Sequence, residues 1–162
     1  RDIIDAASGE KLARVAMSAF CRGDGGFGGE NRPGPAPAAL PDRAPDHVCD
    51  IETLPRQALI YRLSGDFNPL HADPDVARSA GFDRPILHGL ATYGLAARAI
   101  LKSLLDYDAA RLVGLDVRFS APVYPGETVR FEIWEEGGEA RFRASIPARD
   151  LVVLNNGAAR FA

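Results

Sequence analysis

The last third of the chain alternates between apolar and polar residues with the two-residue period of β-strands. Leu115, Val117 and Phe119 share one face of the first predicted strand, and Asp116 and Arg118 lie on the other. Two further strands carry similar apolar faces, formed by Val129, Phe131 and Ile133 and by Ala140, Phe142, Ala144 and Ile146. The alternation predicts antiparallel strands that bury one face on a core.

Turn-forming residues separate these strands. Gly137-Gly138 marks a hairpin, and the last predicted strand starts at residues 151–154, before a turn or bulge at residues 155–157. Upstream, residues 88–105 are apolar nearly all round for three turns, which is typical of a helix buried on most sides. The pattern therefore predicts an α+β domain in which an antiparallel sheet wraps around one long helix.

Two shorter helices are predicted before the long one. The first covers residues 53–63, with Thr53 as its N-cap. Its apolar positions are Leu54, Leu59, Ile60 and Leu63. The second starts at Asp73-Pro74, because Asp is a favourable N-cap and Pro suits the first turn, and it ends near Gly81.

The first 47 residues have a different character. Residues 3–22 predict a hairpin with a turn at residues 7–10, and the apolar face of an isolated hairpin needs a partner sheet. Residues 23–46 are rich in glycine and proline, which indicates a linker or a surface loop. The unit that carries the long helix begins near Val48.

Composition narrows the function classes. The 162 residues are 46% apolar and 25% charged with a net charge of −3, so a general nucleic-acid or membrane-surface binder is not expected. Cys21 and Cys49 are isolated, which excludes a disulfide framework and favours a reducing compartment. No apolar run reaches the roughly 18 residues of a membrane span. The Ala-, Arg- and Gly-rich composition fits a bacterial cytoplasm.

The candidate chemistry lies in residues 61–71. Asp66 and His71 are five residues apart, and Gly65 and Pro69 favour a bend between them. With that bend, a carboxylate and an imidazole can hold one water, which is a general acid/base arrangement. The spacing alone is equally compatible with a helix end that has an Asp cap and a surface His.

The same segment closely resembles the signature of the R-specific enoyl-CoA hydratases, also called hydratase 2 or MaoC-like dehydratases. The resemblance rests on Tyr61, Ser64-Gly65-Asp66, Asn68-Pro69-Leu70-His71, Ala77, residues 84–89 and residues 119–128. It implies a hotdog fold, in which the sheet wraps around a long central helix. It also implies reversible hydration of trans-2-enoyl-CoA to (3R)-3-hydroxyacyl-CoA in acyl-CoA metabolism, with no cofactor besides the CoA of the substrate.

Roles for the site residues follow from the chemistry and the resemblance together. Asp66 and His71 are assigned jointly as the acid/base pair. Asn68 either orients substrate or water, or only braces the turn. The backbone N–H of Gly89, at the start of the long helix, is the candidate donor to the thioester oxygen, although a glycine there is also compatible with close helix–sheet packing.

Five further residues are candidates for substrate binding: Tyr61, Ser64, Phe67, Pro69 and His88. A His at a helix start is more often structural, so His88 is not placed in the catalytic set. Asp66, His71 and Asp73 are of metal-ligand type, but their spacing matches no metal motif and activation by a thioester needs no metal, so no metal is expected.

Two other functions compete with hydration. Hotdog thioesterases resemble one another in placing an acidic residue within the long helix, whereas here the first acidic residue, Asp106, comes after it. A non-catalytic acyl-CoA-binding module predicts that Asp66 and His71 point apart.

The resemblance also suggests how the chain is organised. Larger relatives carry two hotdog units in tandem, so residues 1–24 are interpreted as the closing strands of a preceding unit. Residues 25–47 are then a linker, and residues 48–162 a second hotdog unit. The expected partners are an acyl-CoA substrate and either a second copy of the chain or the upstream unit, but no nucleic acid or membrane. Tandem relatives of this kind make a peroxisome the alternative localisation.

Overall fold

The computed structural model describes residues 1–19, 21, 23–29 and 39–162. The chain divides into two compact units, Arg1–Ala36 and Pro37–Ala162. Residues 30–38 of the predicted linker, which covers residues 25–47, lie outside the described residues.

The first unit contains a hairpin of two antiparallel strands, β1 (Asp2–Ile4) and β2 (Lys11–Arg14). The carboxylate of Asp5 holds its turn by accepting the backbone N–H groups of Ala7 and Ser8 at 3.1 and 2.7 Å. Every residue of both strands is exposed. The predicted hairpin is confirmed over these strands, and its positions 20 and 22 lie outside the described residues.

The second unit is built on a five-stranded sheet with three α-helices. The remaining strands are β3 (His47–Glu52), β4 (Leu112–Phe119), β5 (Thr128–Glu136), β6 (Glu139–Ile146) and β7 (Leu151–Phe161). The helices are α1 (Gln57–Tyr61), α2 (Pro74–Ser79) and α3 (Gly89–Leu104). The strand order is β3-β5-β6-β7-β4, and every neighbouring pair is antiparallel.

Helix α3 packs against β3, β4 and β5, so one curved sheet holds the long helix. Ala96, Ala99 and Ile100 on α3 are completely buried, as are Phe131 and Phe142 on the sheet. Small residues on the helix let it approach the large aromatic side chains of the sheet closely. The predicted α+β hotdog arrangement is confirmed.

The strand pattern of the last third is confirmed in detail. The apolar faces of β5 and β6 are buried, and Gly137 and Gly138 form the hairpin between them with positive φ. Residues 155–157 form a bulge within β7, where Asn156 has a φ of 51°. Gly157 is required there, because a Cβ atom would lie 2.5 Å from the Phe142 carbonyl oxygen.

The helix predicted over residues 53–63 is wrong in its first half, and strand β3 was not predicted. Thr53 continues from β3: its N–H and hydroxyl both donate to the Glu127 carbonyl, at 3.0 and 2.8 Å. Pro55 disfavours a helix at the residue before it, so α1 begins only at Gln57. All four apolar positions predicted for this helix are at least 44% exposed, namely Leu54, Leu59, Ile60 and Leu63.

Candidate active site

The backbone between α1 and α2 bends as the candidate chemistry requires. A single 3-10 turn at Arg62–Ser64 ends at Gly65, which has a φ of 105° that favours glycine. The Asp66 carboxylate then accepts the Asn68 N–H at 3.2 Å, and the Asn68 side-chain oxygen accepts the Leu70 N–H at 3.0 Å. Asn68 thus caps the 3-10 turn that carries His71. The side-chain oxygen of Asn68 therefore braces the turn.

The bend brings three polar side chains together. One carboxylate oxygen of Asp66 and one imidazole nitrogen each of His71 and His88 all lie within 4.8 Å of one another. Asp66 is exposed, whereas His71 is only 9% exposed. A carboxylate and an imidazole at this separation can share one water molecule. The alternative of a surface His beside a helix cap does not describe this arrangement.

The hydrogen bond of His71 determines its tautomer. Its Nδ1 lies 2.8 Å from the Ile86 carbonyl oxygen, and a carbonyl can only accept, so Nδ1 carries the proton. In the neutral ring Nε2 therefore bears a lone pair. That nitrogen is the one available to take a proton from water.

His88 lies beneath this pair. Its Nε2 is 3.1 Å from the backbone carbonyl oxygen of Asp66, so Nε2 donates. Its ring stacks on His71 with centroids 3.7 Å apart and planes 25° from parallel, and Tyr61 packs on it with centroids at 4.7 Å. Burial lowers the pKa of His88 from its ordinary value of 6.5, against the opposing effect of the hydrogen bond to Asp66.

Gly89 is the first residue of α3, so its N–H has no partner within the helix. The residue is exposed, and the positive end of the helix dipole lies at this point. A Cβ atom at Gly89 would meet the Phe119 ring at 3.5 Å, an ordinary contact distance. Packing of the helix on the sheet therefore does not demand a glycine at this position.

The flanking candidates divide by exposure. Tyr61 is half-buried against His88, whereas Ser64, Phe67 and Pro69 are exposed along the loop. The Arg62 guanidinium lies 5.5 Å from the Phe67 ring centroid. The imidazole of His88 is only 1% exposed, so any effect on a substrate passes through the residues that it contacts.

A cavity of about 190 Å³ borders His71, and Leu59, Arg84 and Pro125 are among its lining residues. Sequence reasoning did not single out Arg84, although it opens the resemblance segment 84–89. Its guanidinium lies 5.0 Å from the Tyr124 ring centroid, and this cation–π contact keeps the Arg84 charge at the edge of the cavity.

A metal ion is poorly suited to this cluster, although the donor types are right. An imidazole binds a metal in its own ring plane, and two stacked, nearly parallel rings direct their lone pairs alongside each other. The Nδ1 of His71 and the Nε2 of His88 are already bound to carbonyl oxygens. Asp73 instead caps α2, where it accepts the Asp75 N–H at 2.8 Å. The absence of a metal stays a prediction.

The antiparallel sheet around a helix, with a carboxylate and an imidazole beside that helix's N-terminus, defines a hotdog protein with a candidate acid/base site. The chain belongs to the MaoC-like domain family, whose family model matches residues 37–155. Helices long and apolar enough to cross a membrane are absent from the part of the chain that the structure describes.

Two curated relatives and one solved structure illustrate the similarity. The enoyl-CoA hydratase ChsH3 of Mycobacterium tuberculosis is 48% identical over 140 residues, which are 86% of this chain and 49% of that protein. The peroxisomal enoyl-CoA hydratase 2 of Arabidopsis thaliana is 43% identical over 157 residues, 91% of this chain and 50% of that protein. The crystal structure of a MaoC-like dehydratase from Phytophthora capsici has a TM-score of 0.81 and 44% identity, covering 87% of this chain and 48% of that one. The chain thus spans about half the length of these relatives.

Proposed function

We propose that this chain catalyses the reversible hydration of trans-2-enoyl-CoA to (3R)-3-hydroxyacyl-CoA. One observation carries the proposal: the Asp66 carboxylate and the His71 imidazole converge within 4.8 Å, at the loop facing the N-terminus of α3. The names of the two curated relatives, both enoyl-CoA hydratases, support the same reaction. The R configuration is what the resemblance to hydratase 2 implies.

The reaction places three demands on the site, and named groups meet each of them. Water must lose a proton as its oxygen bonds to C3, and the lone pair on His71 Nε2 or the Asp66 carboxylate accepts that proton. A proton must then bond to C2, and the same pair returns it. The pair ends as it began, so no cofactor is consumed.

The third demand is stabilisation of the thioester oxygen as negative charge develops on it. The N–H of Gly89, which has no partner within the helix, and the dipole of the 16-residue helix α3 both favour that charge. Because Gly89 has no side chain, the thioester can approach the N–H directly. Asn68, which already braces the turn through its oxygen, retains an amide group that can orient water or substrate.

A thioesterase is the main rival, and the sequence of α3 opposes it. Residues Gly89–Leu104 contain no Asp or Glu, so the helix offers no carboxylate to activate water against the thioester carbonyl. A non-catalytic binding module would not need a carboxylate and an imidazole close together beside an N–H that has no partner within its helix.

Pairing with a second hotdog unit is part of the proposal. Apolar side chains around the site loop and helix start are exposed: Leu63 by 78%, Phe67 by 60% and Leu90 by 61%. Exposed apolar groups on the two segments that carry the site indicate a surface that another surface or a ligand covers. The partner is an upstream unit of the same protein or a second copy of the chain, and residues 1–24 are the closing strands of such an upstream unit. We place the protein in the cytoplasm.

The experiment is a direct assay of the purified protein. Loss of the enoyl absorbance is followed with crotonyl-CoA and with a longer enoyl-CoA, while released thiol is measured in parallel. Hydration without free CoA is expected with at least one substrate. Release of free CoA without a hydroxyacyl product would identify a thioesterase, and binding without turnover would identify a binding module.

A further inference from the structure

His88 contacts both members of the acid/base pair without facing the solvent. Its Nε2 lies 3.1 Å from the Asp66 carbonyl oxygen, and its ring stacks 3.7 Å from that of His71. Tyr61 packs on the same ring at 4.7 Å, so the imidazole is enclosed by aromatic and polar neighbours. One buried ring therefore touches the backbone of the acid and the side chain of the base.

We propose that His88 is a positioning residue, which fixes Asp66 by hydrogen bonding and His71 by ring stacking so that both reach one water. This inference rests on the proposed hydratase function. Asp66 lies in an exposed loop, and its carboxylate has one backbone donor, Asn68, among the described residues. A displacement of about 1 Å at a reacting group can cost on the order of 100-fold in rate, so a buried anchor for this loop has catalytic consequences.

A neutral imidazole suits this role better than a charged one. Nε2 must carry a proton to donate to the Asp66 carbonyl, and Nδ1 is buried with no hydrogen-bond partner among the residues that the structure describes. A second proton on Nδ1 would thus be buried without an acceptor. Of the charged groups nearby, Arg62 and His71 oppose that proton and Asp66 favours it. His88 stays neutral while His71 exchanges its proton with water.

Two substitutions separate the two contacts. His88→Gln keeps an amide donor with the reach of Nε2 but removes the ring, and His88→Phe keeps a ring but removes the donor. Each is expected to lower kcat at least about tenfold with KM changed less than about threefold, because positioning affects the reacting groups more than binding. Tyr93→Phe is the matched control, since it also removes a donor from α3 to a backbone carbonyl, at 2.6 Å on Leu115. That control should retain wild-type kcat.

A second readout distinguishes positioning from general damage. If His88 acts through the acid/base pair, adding His88→Phe or His88→Gln to Asp66→Asn should cause little further loss of kcat. A purely structural defect would instead multiply with the loss from Asp66→Asn. Multiplicative losses, or His88 variants within about twofold of wild-type kcat, would overturn the positioning role.

The wild-type protein supplies an independent check that needs no variant to fold. Nitrogen NMR of the imidazoles should show His88 as the neutral Nε2–H tautomer between pH 7 and 8. An Nδ1–H tautomer or a protonated ring in that range would also overturn the inference. Absence of hydratase activity in the wild type would contradict the proposed function, whereas an active wild type with unaffected His88 variants would contradict only the role of His88.

Discussion

The outer face of the sheet and the loop beside α3 use charged side chains in opposite ways. On the sheet, Arg130 binds both carboxylate oxygens of Asp50 at 2.8 and 2.7 Å, and Arg143 binds both of Glu132 at 2.6 and 3.1 Å. In the loop, the Asp66 carboxylate is exposed and forms no ion pair with the residues that the structure describes. Charges that pair with each other stabilise structure modestly, whereas charges left available to a ligand can do chemistry.

The largest effect should come from the loop. Asp66→Asn removes the carboxylate at constant size, and His71→Gln removes the imidazole. Each should lower kcat at least about 100-fold, because general acid/base groups typically contribute about 100- to 10,000-fold. The double variant should be little worse than either single, since the two groups act on one water. Steady-state kinetics on crotonyl-CoA, with circular dichroism to confirm folding, would measure this. If the losses of kcat in the two single variants multiply in the double variant, the two residues act independently and not on one water.

Gly89→Ala should have the next largest effect. The new methyl meets Phe119 at an ordinary distance and alanine favours the helix, so the fold should persist. The methyl nevertheless obstructs approach to the N–H, and we expect kcat to fall about tenfold or more, towards the roughly 100-fold that loss of one such donor costs. Melting temperature and kcat measured on the same preparation check both statements. Gly94→Ala, within the same helix, is the control, because a Cβ atom there would meet nothing within 4 Å.

Stability should depend on pH through His88. Burial lowers its folded-state pKa below 6.5, so the unfolded chain binds a proton more readily at acid pH. The stability that His88 contributes is therefore present above about pH 6.5 and is lost as the pH falls through its lower folded-state pKa. Urea unfolding between pH 5 and 7.5 should show this loss, and His88→Gln should flatten it. An equal slope in both proteins would assign the dependence to other groups.

The smallest effect should come from the sheet. Glu132→Gln breaks the ion pair with Arg143, and the two side chains are 19% and 41% exposed. Surface pairs that solvent can still reach contribute up to about 1 kcal/mol, so the free energy of unfolding should fall by about that amount or less. The kcat should not change, because this pair lies on the face of the sheet opposite the core. A large loss of activity in Glu132→Gln would contradict the view that the paired charges on the sheet serve structure alone.

The same contrast explains what could be predicted from the sequence. The burial of Val129, Phe131 and Ile133 could be predicted from the sequence, because a strand alternates its faces with a period of two. The burial of α3 could be predicted from its nearly uniform apolar surface. Strand β3 was missed because its buried residues, Cys49 and Ile51, are too few to stand out beside the misread helix that follows. The positions of Asp66 and His71 followed from a recognised motif, but the stacking of His88 under His71 joins residues distant in sequence and only the folded structure reveals it.

The most direct test of the account is hydration in deuterated water with stereochemical analysis of both new bonds. If Asp66 and His71 hold one water on one side of the enoyl thioester, the hydroxyl at C3 and the deuterium at C2 add to the same face. The predicted product is the 3R alcohol with deuterium on that face, and Asp66→Asn should form it at least about 100-fold more slowly. A 3S product, addition to opposite faces, or full activity in Asp66→Asn would contradict the shared-water site.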